Sequence, residues 1–350
     1  MTRQPRGLDI GRPAALIAAL PAVLGFVPEH SLAVVTVDDV GGGPELGCVM
    51  RVDLSVGLAD NTDHLAEVVG AAGPEGAIAV IIDEFGSECD ACGTDHLELA
   101  DALGRSLALE GVQLMAVLVV DRVAAGGRWF CADGCGAHGV IDDPEASPLA
   151  AAAVLDGRRL YRRRADLQEV IAVTDAARSA RLADAMADRE FFDPSAAQVR
   201  ETTQLAMAIA VRLSEGTEPD DAELVMLACA LSDPRVRDIL YALAIGGGAA
   251  EAEALWALMA RVLPDAARPD ALALLAFSAY ARGDGPLAGI ALEAAVRLDP
   301  RHRMAVMLDS ALQSGMRPEQ IRGMALSGYR TAEKLGVRLP PRLAFGQRAG

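Results

Sequence analysis

Four apolar runs that read as strands fall within the first 120 residues, and from about Ser147 the pattern is one of helices alone. This asymmetry restricts the chain to a sheet built early and a helical part added after it. The runs are Leu32–Val37, Leu46–Leu54, Ala77–Ile82 and Leu114–Val120. The turn Gly41-Gly42-Gly43-Pro44 joins the first two as an antiparallel hairpin. Between the third and fourth, Leu99, Ala100, Leu103 and Leu107 recur at helical spacing, which predicts a helix over 95–109. Asp95 and Glu98 have capping-box spacing at its start, and Gly111 follows its end. A strand-helix-strand unit of this length favours a parallel pair with a right-handed crossover. The expected architecture is an α/β domain with a mixed sheet over 1–150 and a helical domain over 151–350.

The helical part has its own punctuation. Asp193-Pro194 and Asp233-Pro234 each offer an N-cap followed by proline at the first helical position. Val199, Leu205, Ala206, Ile209 and Leu213 stripe the helix after Pro194, which stops at Gly216. Further helices are expected at about 219–231, 234–244, 250–263, 269–282, 285–298, 302–314 and 318–334, with loops short enough to make neighbours antiparallel. Residues 269–302 resemble one tetratricopeptide repeat. Ala276, Ala288 and Ala295 sit where two helices approach closely, Gly283 opens the turn and Pro300 stands at the repeat's end. The usual aromatic positions carry Ala or Leu, and an ordinary helical hairpin is the competing reading.

Composition narrows the functional classes. Hydrophobic residues make up 52% and aromatic residues 4%, so the core must be assembled from small aliphatic side chains packed closely. A formal charge of −17 repels phosphate backbones and anionic membrane faces, so neither nucleic acid nor membrane is an expected partner. Arg158, Arg159, Arg162, Arg163 and Arg164 form a local exception, either a solvated basic turn or an anion site. The segment 14–27 lacks a cleavage pattern and runs straight into a strand, so it reads as folded protein in a cytoplasmic chain whose six cysteines stay mostly reduced.

Four of those cysteines are paired in sequence: Cys89 with Cys92, and Cys131 with Cys135 after 38 intervening residues. Two close pairs are the usual way to present four ligands to a tetrahedral zinc ion, with His96 and His138 as spare ligands. Free or oxidation-sensitive thiols are the rival reading. A redox motif at Cys89 and Cys92, at a helix N-terminus, is the third. Glu88, Asp90 and Asp95 oppose it, because negative charge raises thiol pKa. Cys48 and Cys229 read as small core residues, and Met304 and Met307 as helix packing.

Three strand runs finish in carboxylates: Val37 into Asp38, Ile82 into Asp83, and Val120 into Asp121. In a parallel sheet these would converge at one edge and hold a divalent cation for hydrolytic chemistry. Read as turn formers, they need no function. His30 lies between Glu29 and Ser31, but no Gly-x-Ser-x-Gly, phosphate-loop or dinucleotide-turn pattern accompanies it.

The stretch Pro21-Ala22-Val23-Leu24-Gly25-Phe26 followed by Pro28-Glu29-His30-Ser31-Leu32 resembles the opening of the actinobacterial domain-of-unknown-function family 4192. Arg128-Trp129, Cys131, Cys135 and Ser147-Pro148-Leu149-Ala150 match the order of a later segment in that family. There the cysteine cluster ends in adjacent cysteines and a proline, whereas here Gly136 follows Cys135. The resemblance implies a family and no activity. The function expected is a non-catalytic cytoplasmic interaction or regulatory protein with a structural zinc site, contacting a protein partner through its helical region. The alternatives are a metal-dependent hydrolase using Asp38, Asp83 and Asp121, and a thiol oxidoreductase at Cys89 and Cys92.

Overall fold

A computed structural model describes residues 11–39, 44–55, 57–71, 73–84, 90–155, 158–187 and 194–343. The chain divides into two compact units, 2–167 and 168–350.

The first unit is built on six strands: β1 (Ser31–Asp39), β2 (Pro44–Asp53), β3 (Gly76–Ile82), β4 (Gln113–Val120), β5 (Arg128–Cys131) and β6 (His138–Val140). Their order across the sheet is β2-β1-β3-β4-β5-β6. Only β3 and β4 run parallel; β1 is antiparallel to both β2 and β3. The four strands read from the apolar runs are present, and the β1–β2 hairpin and parallel β3–β4 pair form as expected. β5 and β6 are too short to stand out as periodic runs. They form an antiparallel hairpin in which Gly139 lies against the Trp129 indole, where any larger side chain would crowd the ring.

Helices α1 (Pro13–Leu24), α2 (Thr62–Gly70), α3 (Asp90–Leu109) and α4 (Pro148–Leu155) complete most of this unit. Leu32, Val34, Ala79, Ile81, Val117 and Val119 on one sheet face form a core with Leu65 and Val69 of α2 and Leu99, Leu103 and Leu107 of α3. α1 ends as the Pro-x-x-Leu-Gly pattern suggests, with Gly25 in the left-handed region at φ 75° closing the last turn onto the Pro21 carbonyl. α3 begins five residues before the expected Asp95 start, so Asp95 lies inside the helix and does not cap it. α4, placed in the helical domain on sequence grounds, packs with α1 in the α/β unit. Cys48 is exposed, not core. A β-bulge between Val35 and Val37 breaks the alternation of β2 opposite Thr36, whose Oγ1 accepts from the Cys48 N–H at 2.7 Å.

α5 (Arg164–Gln168) ends at the boundary of the first unit. The second unit is helical among its described residues: α6 (Ala176–Ala187), α7 (Ala196–Ser214), α8 (Asp221–Ala230), α9 (Pro234–Ala242), α10 (Ala249–Val262), α11 (Arg268–Arg282), α12 (Gly285–Leu298), α13 (Arg303–Gln313) and α14 (Pro318–Leu335). Small residues let these helices approach: Ala276, Ala288 and Ala295 in the α11–α12 hairpin are completely buried. Asp233 caps α9 as the Asp-Pro signal predicts, but α7 is capped by Ser195, one residue after Pro194, in a reciprocal capping box with Gln198. His302 caps α13 by accepting from the Ala305 N–H at 3.1 Å through Nδ1, which leaves Nε2–H to donate to Asp270 at 3.1 Å.

Two predictions test this packing. At Gly328 of α14 a Cβ would collide with the backbone carbonyl of Asp238 in α9, whereas at Gly323 on the same helix it would meet open space. Gly328→Ala should lower unfolding stability by about 1–3 kcal/mol, and Gly323→Ala should leave it unchanged or raise it by about 0.5–1 kcal/mol, both read from urea denaturation. The second concerns acid. Hydrogen bonds from Arg235, opposed by burial, hold the Asp233 carboxyl below its ordinary range. A depressed native pKa adds stability above the unfolded value, about 4, and loses it as pH falls through the native one. Asp233→Ala should cost about 1 kcal/mol at neutral pH. The gap should narrow in acid denaturation series as the pH falls below the ordinary aspartate range.

Candidate functional site

The reversal of β1 decides which carboxylates meet. Ser31 at the start of β1 pairs with Ile82 at the end of β3 and with Asp53 at the end of β2. Asp38 therefore lies at the opposite end of the sheet, about 23 Å along the strand at 3.3 Å per residue. The expected convergence of Asp38, Asp83 and Asp121 does not occur. Asp83 and Asp121 do share the carboxyl edge of the parallel pair, joined by an Asp83 N–H to Val120 carbonyl bond of 3.0 Å. Asp121 is occupied: its Oδ1 accepts from the Arg128 N–H at 2.8 Å, and Oδ2 faces Arg122 at 3.4 Å and Arg128 at 3.6 Å.

Asp83 has a different environment. Its carboxylate is buried and stands between two imidazoles, His96 Nε2 at 3.1 Å from Oδ2 and His30 Nδ1 at 3.9 Å from Oδ1. His96, on α3, is equally buried, and its Nδ1 has no hydrogen-bond partner. The ring is thus held by Asp83 through Nε2, and only Nδ1 is left unpaired. His30 is exposed and adopts φ 42°, the one left-handed non-glycine residue among those described. Its neighbours brace that conformation. The Glu29 carbonyl accepts from Ser31 Oγ at 2.5 Å and from Arg51 Nη2 at 3.4 Å, and Arg51 Nε donates to Ser31 Oγ at 2.8 Å. Held this way, His30 and His96 approach the same buried carboxylate from two elements, the strand entrance and α3.

The second constellation is the β5–β6 hairpin. Cys131, Asp133 and Cys135 each present a ligand atom within 4.8 Å of the others, with Cys131 half-buried and the other two exposed. The Cys131 N–H donates to the Ala137 carbonyl at 2.8 Å, and the Cys135 N–H to Asp133 Oδ1 at 2.9 Å, so the turn folds both thiols onto the same carboxylate. Burial first, then the neighbouring Asp133 and Cys135, push the Cys131 thiol up to about 11. Hydrogen bonds from Cys135 first hold Asp133 below its ordinary value. A bound cation would reverse the balance at Cys131 by favouring the thiolate.

Among the four cysteines expected to act together, Cys89 and the Cys92 side chain lie outside the described residues. The helix that carries Cys92, α3, packs on the sheet face that receives Phe130 and Ala132. Strand alternation turns Cys131, between them, toward the other face. His138 contributes Nδ1 to the Gly136 carbonyl at 3.0 Å and is not part of the cluster. Asp133 was missed by sequence reasoning, although its place midway between two cysteines in a glycine-containing turn was the available signal.

In the helical unit a cavity of about 50 Å³ is lined by Asp238, Tyr241, Phe277, Met304, Met324 and Ser327. The Tyr241 hydroxyl is buried without a partner, and its ring packs on Phe277 with centroids 4.9 Å apart. Met307 is 43% exposed, alongside Val306 and Met316, so the expectation that it serves only helix packing is corrected. No helix among the described residues is long and apolar enough to cross a membrane.

These features define a two-unit α/β-plus-helical protein with a thiol-carboxylate hairpin and a buried Asp-His pair at the sheet edge. The chain belongs to a family described as a domain of unknown function, DUF4192, whose model matches residues 13–319. No curated protein and no solved structure matches it.

The edge pair makes a direct prediction. Asp83→Ala should destabilise the protein by about 1–3 kcal/mol, because it strands a buried His96 donor. Asp38→Ala at the far end should stay within about 0.5 kcal/mol of wild type. Thermal unfolding of both variants measures the contrast.

Proposed function

We propose that this protein is a cytoplasmic interaction or regulatory protein whose α/β unit is stapled by zinc and whose helical unit receives a protein partner. The observation that carries the metal reading is the meeting of Cys131, Asp133 and Cys135 in one turn. Thiolates with a third anionic ligand suit zinc, and a small hairpin of seven strand residues gains rigidity from such a clip. In the four-thiolate version, Cys89 and Cys92 complete the tetrahedron; in the hairpin version, Asp133 is the third ligand. The partner reading draws on exposed Val306, Met307 and Met316, since methionine surfaces adapt to different contacts. The α11–α12 hairpin supplies its tetratricopeptide-like support.

Elemental analysis of protein purified without chelators should give about one zinc per chain. Thiol titration before and after chelation then separates the versions: two newly reactive thiols for the hairpin set, four for the full cysteine set. Metal-free protein with every thiol already reactive would contradict both.

A hydrolase is the second reading, favoured by the buried Asp83 between His96 and His30 at the carboxyl edge. His30, with Nδ1 toward Asp83, would present Nε2 as the general base. On this reading Asp83→Asn abolishes turnover while leaving the zinc content unchanged.

A further inference from the structure

We infer that Cys131 and Cys135 form a redox-active dithiol, a modification site that closes to an intrachain disulfide on reaction with low-molecular-weight disulfides of the glutathione type. Their sulfurs lie within 4.8 Å of each other across a five-residue turn. Closure needs the sulfurs to reach about 2.05 Å, and the residues between them can supply the movement. Gly134 and Gly136 hold left-handed φ values of 81° and 76° outside the strands, so the turn adjusts without disturbing the β5–β6 register. The other described cysteines are elsewhere. Cys48 is on β2, with three strands between it and β5, and Cys229 belongs to the helical unit.

Exposure assigns the two roles. Cys135 is exposed and takes the first step, its thiolate attacking one sulfur of the small disulfide. An S–S bond forms to Cys135, the original S–S bond breaks, and one small thiolate leaves and picks up a proton. Cys131 is half-buried beside the Cys135 sulfur, which suits it to the resolving step. Proximity favours this second step. Its sulfur attacks the Cys135 sulfur, gives up its proton and releases the second small thiol. In sum, two protein thiols are oxidised to one disulfide, and one small disulfide is reduced to two thiols. The step concerns the metal-free hairpin and stands whether or not zinc binds there.

The test uses the full chain, stripped of metal with a chelator and incubated in glutathione disulfide, followed by mass spectrometry of the intact chain and its peptides. Wild-type protein should lose two hydrogens and yield a peptide linking Cys131 to Cys135, reversible with reduced glutathione. Cys131→Ser should accumulate one glutathione on Cys135, and Cys135→Ser should give no linked peptide. A persistent glutathione adduct on wild-type Cys135, or linkage of either residue to Cys89 or Cys92, would overturn the assignment. Zinc content, measured separately on untreated protein, reports on the metal reading alone.

Discussion

The arrangement of the α/β unit rests on the direction of one strand. β1 is hydrogen-bonded on both sides, to β2 and to β3, and runs antiparallel to each. Because its start lies at the carboxyl edge of β3 and β4, the residues leading into it, Glu29, His30 and Ser31, arrive beside Asp83. Had β1 run parallel, Asp38 would stand there instead. The sheet edge would then carry three acids, and its chemistry would be that of a cation site. As it is, the edge combines one neutralised aspartate, one buried aspartate and two imidazoles.

How much of this was legible in the sequence depended on periodicity. Runs such as Ala77–Ile82 are apolar throughout because β3 is buried on both faces, and such runs are hard to miss. The helices of the second unit were equally plain, since stop signals such as Gly216 and Gly283 occupy left-handed positions that favour glycine. What sequence could not supply was strand direction, because an apolar run reads the same both ways. Nor could it identify β5 and β6, four and three residues long, whose pairing depends on β4 already being in place. Cys48 was misread for a related reason: a bulge changes which face a side chain takes, and no residue pattern in β2 announces it.

The candidate sites were legible in composition more than in geometry. Cys131 and Cys135 stand out by spacing, yet the turn recruits Asp133 as their immediate companion. Asp83 stands out as an acid after a strand, but its pairing with His96 requires α3 to begin earlier than its capping signals suggest and to pack over β3. In both cases the local sequence names one member of the cluster, and the long-range pairing chooses the others.

Both the composition of the sheet edge and the surroundings of Asp83 therefore depend on the direction of β1. Interstrand amide contacts measured by nuclear Overhauser spectroscopy on the deuterated full-length protein test it directly. The antiparallel register places Leu32 opposite Ile81 and Thr36 opposite Ala77, so cross-peaks should link those pairs. Cross-peaks joining Leu32 to Ala77 and Thr36 to Ile81 would reverse the strand, return Asp38 to the carboxyl edge and contradict the site described above.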